Sequence, residues 1–162
     1  MSRQGQKIAL KTAKDRPEHK SRQEAERFNF SYRDKALSEI EELKNKYTDY
    51  ILDFSPDSVI NIEKLYFDIL DGKKYKIHSV FGLTIKRMEE ILAVYIGQVY
   101  VHNTDFKWIV EEDPFGKNKY YLAVISENGF MTIECTRITD HYKMTGNKTR
   151  KALYREFKKN ES

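Results

Sequence analysis

The sequence predicts an α+β domain in which a three-stranded antiparallel meander packs against a layer of three to four helices. Three observations carry that prediction. Apolar residues recur at helical spacing from Leu37 to Val99; from Phe106 onward the period changes to two; and Asn128-Gly129, a pair that tolerates positive φ, separates two alternating runs. With 162 residues, 40% hydrophobic and 13% aromatic, the chain can build one aromatic-rich core without metal or disulfide help.

Charge divides the chain. Residues 1–27 hold eight Lys/Arg against four Asp/Glu, and residues 140–162 hold seven against three, so the stretch between them is acidic although the whole is +4. Large apolar residues are scarce before Phe28. Residues 1–27 are therefore expected to form a basic, flexible tail that buries little, apart from a helical tendency at Ser21 to Arg27, with 28–162 as a single domain. No apolar run approaches a membrane span or a secretory signal, and the acids among the first 27 residues argue against a mitochondrial presequence. A cytoplasmic protein with a reduced Cys135, and no membrane partner, is the expectation.

The first helix is predicted over Tyr32 to Leu52, with Ser31 as cap, Asp34 in the first turn, and Leu37, Ile40, Leu43, Tyr47, Tyr50 and Ile51 on one face. The next start is the clearest local signal: in Asp53-Phe54-Ser55-Pro56-Asp57-Ser58, Ser55 suits an N-cap and Pro56 the first helical position. That helix runs to Leu70 and stops at Asp71-Gly72, where glycine suits a left-handed residue. Residues 73–83 are a connector anchored by Ile77, Val80 and Phe81. A third helix starts near Thr84. Ile85, Met88, Leu92, Tyr95 and Val99 keep register through Gly97, so the helix is predicted to continue to His102, with Asn103 as its stop.

The strands follow. Phe106, Trp108 and Val110 alternate with Lys107, Ile109 and Glu111; Asp113 to Asn118 is a turn; Tyr120, Leu122 and Val124 alternate with Tyr121, Ala123 and Ile125; and Met131, Ile133 and Cys135 share a face after the Asn-Gly turn. A last helix over Thr149 to Lys158 offers Leu153, Tyr154 and Phe157.

Strong chemical motifs are absent. There is no phosphate-binding glycine loop, no Rossmann fingerprint, no H-E-x-x-H and no G-x-S-x-G, and His19, His78, His102 and His141 are dispersed, so no cofactor, metal or catalytic residue is predicted. Cys135 with His141 could be a nucleophile and base, but a small apolar strand residue explains Cys135 better. Glu111, Glu112 and Asp113, with Glu134 on a neighbouring strand, could hold a cation or do acid–base work; a solvated hairpin end accounts for them more simply. Glu89 and Glu90 fit a charged outer helix face. Phe106, Trp108, Tyr120 and Phe130 fit core packing better than base stacking, leaving Tyr121 and Phe115 to sit outside.

The run Asp53 to Val59, then Ala93-Val94-Tyr95-Ile96-Gly97-Gln98-Val99, then Trp108, resembles a group of uncharacterised bacterial domains of unknown function. There a D-[YF]-S-P-x-S-[LV] helix start precedes an A-Y-[LI]-G-E-V helix and a strand carrying Trp. The resemblance spans roughly residues 50–140, and it implies a small α+β domain with no established chemistry. Gln98 stands where that group usually has Glu, which puts any role resting on that carboxylate in question here.

The leading functional expectation is a non-enzymatic intracellular protein-binding domain of accessory, inhibitor or immunity type. It would hold a basic partner through Glu111, Glu112, Asp113, Phe115 and Tyr121. One alternative is nucleic-acid binding through Lys7, Lys11, Lys14, Lys148, Arg150, Lys151 and Arg155. Another is an unrecognised enzyme built around Glu134, His141 and Cys135.

Overall fold

The computed structural model describes residues 2–72, 84–129, 132–134 and 152–160. These form α1 (Arg3–Asp15), α2 (Arg22–Lys46), α3 (Ser58–Asp71), α4 (Ile85–Asn103), β1 (Lys107–Glu112), β2 (Tyr120–Ile125), β3 (Thr132–Glu134) and α5 (Ala152–Asn160). The α+β class stands, as five helices and an antiparallel sheet. The sheet is built on the β1–β2 pair, in register from Lys107↔Ile125 to Glu112↔Tyr120; Thr132–Glu134 pairs with Ala123–Ile125 on the other side of β2. The connector 73–83, Phe130, Met131, Cys135, His78 and His141 lie outside the described residues.

Helix α4 is the hub. It packs on α2, on α3 and on both β1 and β2, and every residue from Ile91 to Gly97 is buried, so its apolar character extends round the whole circumference. It runs unbroken through Gly97 from a Thr84 cap whose side chain accepts the Arg87 N–H, as the register of Val99 predicts. Arg87 ties it to α2. Its guanidinium donates to both Glu39 oxygens, at 2.9 and 3.1 Å, and to Glu90 at 2.9 Å, and it lies over the Tyr32 ring.

The alternation expected in the strands holds. Val110, Tyr120, Leu122 and Val124 are buried on the face toward α2 and α4, and the Trp108 indole on that face donates to Gln98 Oε1 at 3.0 Å. A glutamate at that position would offer the same acceptor, so the Gln98 exchange keeps the bond. The Ser55-Pro56 signal also acts, one turn earlier than a regular helix. Ser55 Oγ accepts the Ser58 N–H, and three successive i→i+3 backbone bonds lead into α3. Gly72 closes α3 at φ 71°. The Tyr95 hydroxyl donates to Ser58 Oγ at 2.6 Å and accepts the Phe54 N–H at 3.2 Å, so the two resemblance motifs meet in one joint.

The amino-terminal third departs from expectation. Helix α2 starts at Arg22, ten residues before Tyr32, and stops at Lys46, six before Leu52. Its cap is Ser21, which accepts the Glu24 N–H, while Glu24 reaches back to the Lys20 N–H. The compositional boundary at residue 28 therefore falls inside a helix. Residues 3–15 are helical as well, and Ala9, Ala13, His19 and Ala25 are buried. Counting large apolar residues misses this segment because its contacts are made by alanines, which bury little area but let backbones approach closely. Ala25 sits in a second cluster with Ala36, Val94, Val110, Tyr120 and Leu122, and Arg22 donates to the Val110 carbonyl.

Candidate functional site

The first residues meet the β1–β2 hairpin at a corner. Asp113 opens the loop: its backbone N–H donates to the Lys119 carbonyl, and its Oδ1 accepts the Phe115 N–H at 2.9 Å. The other carboxylate oxygen is 3.0 Å from Arg16 Nε. Arg16 in turn lies 4.6 Å over the Tyr121 ring. Lys119 Nζ donates to the Arg16 carbonyl, and its long stem crosses Gly116, where a methyl group would come within 2.6 Å of Lys119 Cγ and 3.3 Å of Ala13 Cβ. An antiparallel bridge, Glu18 with Lys119, and the His19 N–H on the Asn118 carbonyl complete the join.

Above this join the chain turns at Pro17 into α2 and leaves an aromatic corner. Phe28 is 51% exposed and stands between two clefts. The more enclosed, about 520 Å³, has Tyr120, Tyr121, Asn29 and Lys86 among its walls; the more open, about 780 Å³, has His19, Arg27 and Lys35; Pro17, Phe28 and Tyr32 belong to both. The His19 ring packs 5.0 Å from Phe28 and 6.1 Å from Tyr120; its Nδ1 is 4.0 Å from Glu24, and its buried Nε2 has no hydrogen-bond partner among the described residues. Asn29, also buried, donates to the Ala25 carbonyl. Burial pushes the Tyr120 phenol up, and the Glu112 carboxylate beside it adds to the rise.

The expected hairpin residues are only partly brought together. Asp113 is buried and ion-paired, so it is a clamp for the α1–α2 connection rather than a free acid. Glu111 and Tyr121 face each other across the pair on one side of the sheet; Glu112 and Tyr120 face each other on the opposite side. The three acids thus do not converge. Phe115, 44% exposed, and Glu112 remain open at the loop end. Lys7, Lys11 and Lys14 are exposed on α1 and Arg155 is exposed on α5; Lys148, Arg150 and Lys151 lie outside the described residues. Among the described residues no group of three or more His, Cys, Asp or Glu side chains could hold a metal, and no helix is long and apolar enough to cross a membrane. Sequence reasoning missed Arg16, His19, Phe28 and Tyr32. The signal that would have found them is Ser21-Arg22-Gln23-Glu24, which brings residues 22–31 into a helix and hence onto the sheet.

The clamp carries its own expected result. Asp113→Asn keeps the acceptor for the Phe115 N–H but removes the charge facing Arg16. It should cost about 1–2 kcal/mol and speed amide exchange across Arg3–Asp15 well above that in α4. Equal exchange in variant and wild type would show that the pair does not hold α1.

Fold and corner together define a small α+β domain with an aromatic-lined surface beside a hairpin. Residues 18–161 match the family model of the uncharacterised protein YwmA, and the chain belongs to that family. No curated protein and no solved structure matches it. The match takes in α2 to α5 and leaves α1 outside.

Proposed function

We propose that the chain is a non-enzymatic, cytoplasmic protein-binding domain whose contact surface is the corner around Phe28. The observation that carries this reading is the placement of one half-exposed aromatic ring between two clefts that share Pro17 and Tyr32. Aromatic side chains beside apolar hollows, rimmed by charge, are what protein interfaces use as anchors. The rim of the two clefts is of mixed charge, with Asp15, Glu90, Arg27 and Lys35; a partner would insert an apolar side chain beside Phe28, and its basic residues would meet the hairpin acids, of which Glu112 is open at the loop end.

The test is affinity capture from the native host, comparing wild type with Phe28→Ser and with a variant carrying Glu111→Lys and Glu112→Lys. Phe28→Ser should weaken capture of the specific partner by tenfold or more, about 1.4 kcal/mol or above, while changing stability by less than about 1 kcal/mol. The charge-reversed variant should slow association rather than speed release. A partner retained equally by all three proteins would reject the corner.

A further inference from the structure

Helix α1 has two faces of different kind. Ala9 and Ala13 are buried, with Ile8 and Thr12 half-buried beside them. At 100° per residue, Arg3, Lys7, Lys11 and Lys14 fall within an arc of about 80° on the opposite side. All four are exposed, and none is paired with an acid among the described residues. The row is about 16 Å long at 1.5 Å per residue. From Arg3 to Arg16 the chain carries five cations and one acid, Asp15.

The helix is not a loose arm. Ser2 caps its amino end, accepting the Gly5 N–H at 3.0 Å. At the other end Lys119 meets the Lys14 and Arg16 carbonyls, where a cation complements the helix dipole, and Arg16 is clamped to Asp113. A row of cations on an anchored helix loses less conformational freedom on binding than the same residues on a disordered tail. Helix α1 precedes residue 18, where the family match begins.

We propose that the outer face of α1 binds the phosphate backbone of double-stranded nucleic acid, independently of the corner around Phe28. A line of cations of one sign, spaced along a rigid rod, suits a line of phosphates and gives sequence-independent contact. A lipid surface fits less well. An interfacial helix needs an apolar face to insert, and here that face is turned against the body; among the described residues of this segment Leu10, 54% exposed, is the one large apolar side chain left near the cations.

The experiment is fluorescence anisotropy of a labelled duplex DNA with the full chain, at several salt concentrations. Four phosphate contacts predict a log–log salt slope near −3.6, so affinity should fall about a hundredfold between roughly 50 and 200 mM salt. The variant with Lys7→Gln, Lys11→Gln and Lys14→Gln should flatten the slope to about −1 and weaken low-salt binding by more than tenfold, with helicity and Tm retained. Phe28→Ser should bind the duplex as wild type does, which separates this surface from the protein-binding corner. Equal duplex binding by the triple variant, no binding at the lowest salt, or capture by phosphatidylserine vesicles but not by DNA would each overturn the proposal.

Discussion

Replacing Glu63 with alanine is expected to be the most damaging single polar substitution in the described part of the chain. Glu63 lies on α3, entirely buried, and its Oε1 accepts the Tyr154 N–H at 2.9 Å. Tyr154 is the third residue of α5, so a carboxylate from one helix satisfies an orphan donor in the first turn of another and meets the positive end of its dipole. The bond positions Leu153 and Phe157, both in the core, and Phe157 closes a stack in which Tyr100 lies 4.8 Å from it and 5.1 Å from Phe106. Alanine leaves a half-buried donor unsatisfied and a space where the buried carboxylate stood. The cost should be about 3 kcal/mol, or about 6–12 °C in Tm for a domain of this size. Glutamine keeps shape and acceptor and should lose less than half of that. Thermal and urea unfolding give both values, and amide exchange should locate the loss in α5. A Tm for Glu63→Ala within about 2 °C of wild type would mean that α5 is held by its apolar contacts alone.

Glu63 also shows where reading the sequence stops. The spacing of Val59, Ile62, Tyr66 and Ile69 exposes the buried face of α3, but a glutamate beside Ile62 reads as the polar edge of that face. Among the described residues it is α5, brought from nearly a hundred residues away, that covers it. The elements that were legible are those whose signal is local: the Ser55-Pro56 start, the Gly72 stop, the register of α4 through Gly97, and the period-two strands. Burial confirms the orientation of β1 and β2, because alternation states directly which side faces the helices. The corner was not legible for the opposite reason. Arg16 is separated from Asp113 and Tyr121 by about a hundred residues and meets them only after α1 folds back on the hairpin, so Asp113 looked like one of three free acids. The outer row on α1 was visible as composition, but its one-sidedness depends on the helix having formed.

The second large effect is alkaline. Burial pushes the Tyr95 phenol up to about 12; its bonds with Ser58 and the Phe54 N–H pull the other way without cancelling the rise, and the Asp53 charge adds to it. The Tyr66 phenol is also raised well above its ordinary 10.0, first by burial and then by Glu89, whose Oε1 accepts the Tyr66 O–H at 3.0 Å. In both, the folded state holds the proton more tightly than the unfolded chain does. Above pH 10.0 the unfolded phenols ionise first, the unfolded state binds fewer protons, and stability falls as pH rises; the loss from Tyr95 levels off only as pH passes about 12. Two pH units on one group correspond to about 2–3 kcal/mol, and Tyr66 adds to that, so a substantial share of a typical total stability should vanish above pH 10. Phenolate absorbance in the near ultraviolet should therefore rise in two stages: accessible tyrosines first, then a cooperative step that coincides with loss of helical circular dichroism. Tyr95→Phe provides the control. It should be less stable at neutral pH, because the Phe54 N–H loses this acceptor and Ser58 Oγ, which still donates to the Ser55 carbonyl, loses the bond it accepts, yet its stability should decline less between pH 10 and 12 than that of wild type. If both proteins lost stability in parallel over that interval, the Tyr95 proton would not be what couples this fold to alkaline pH.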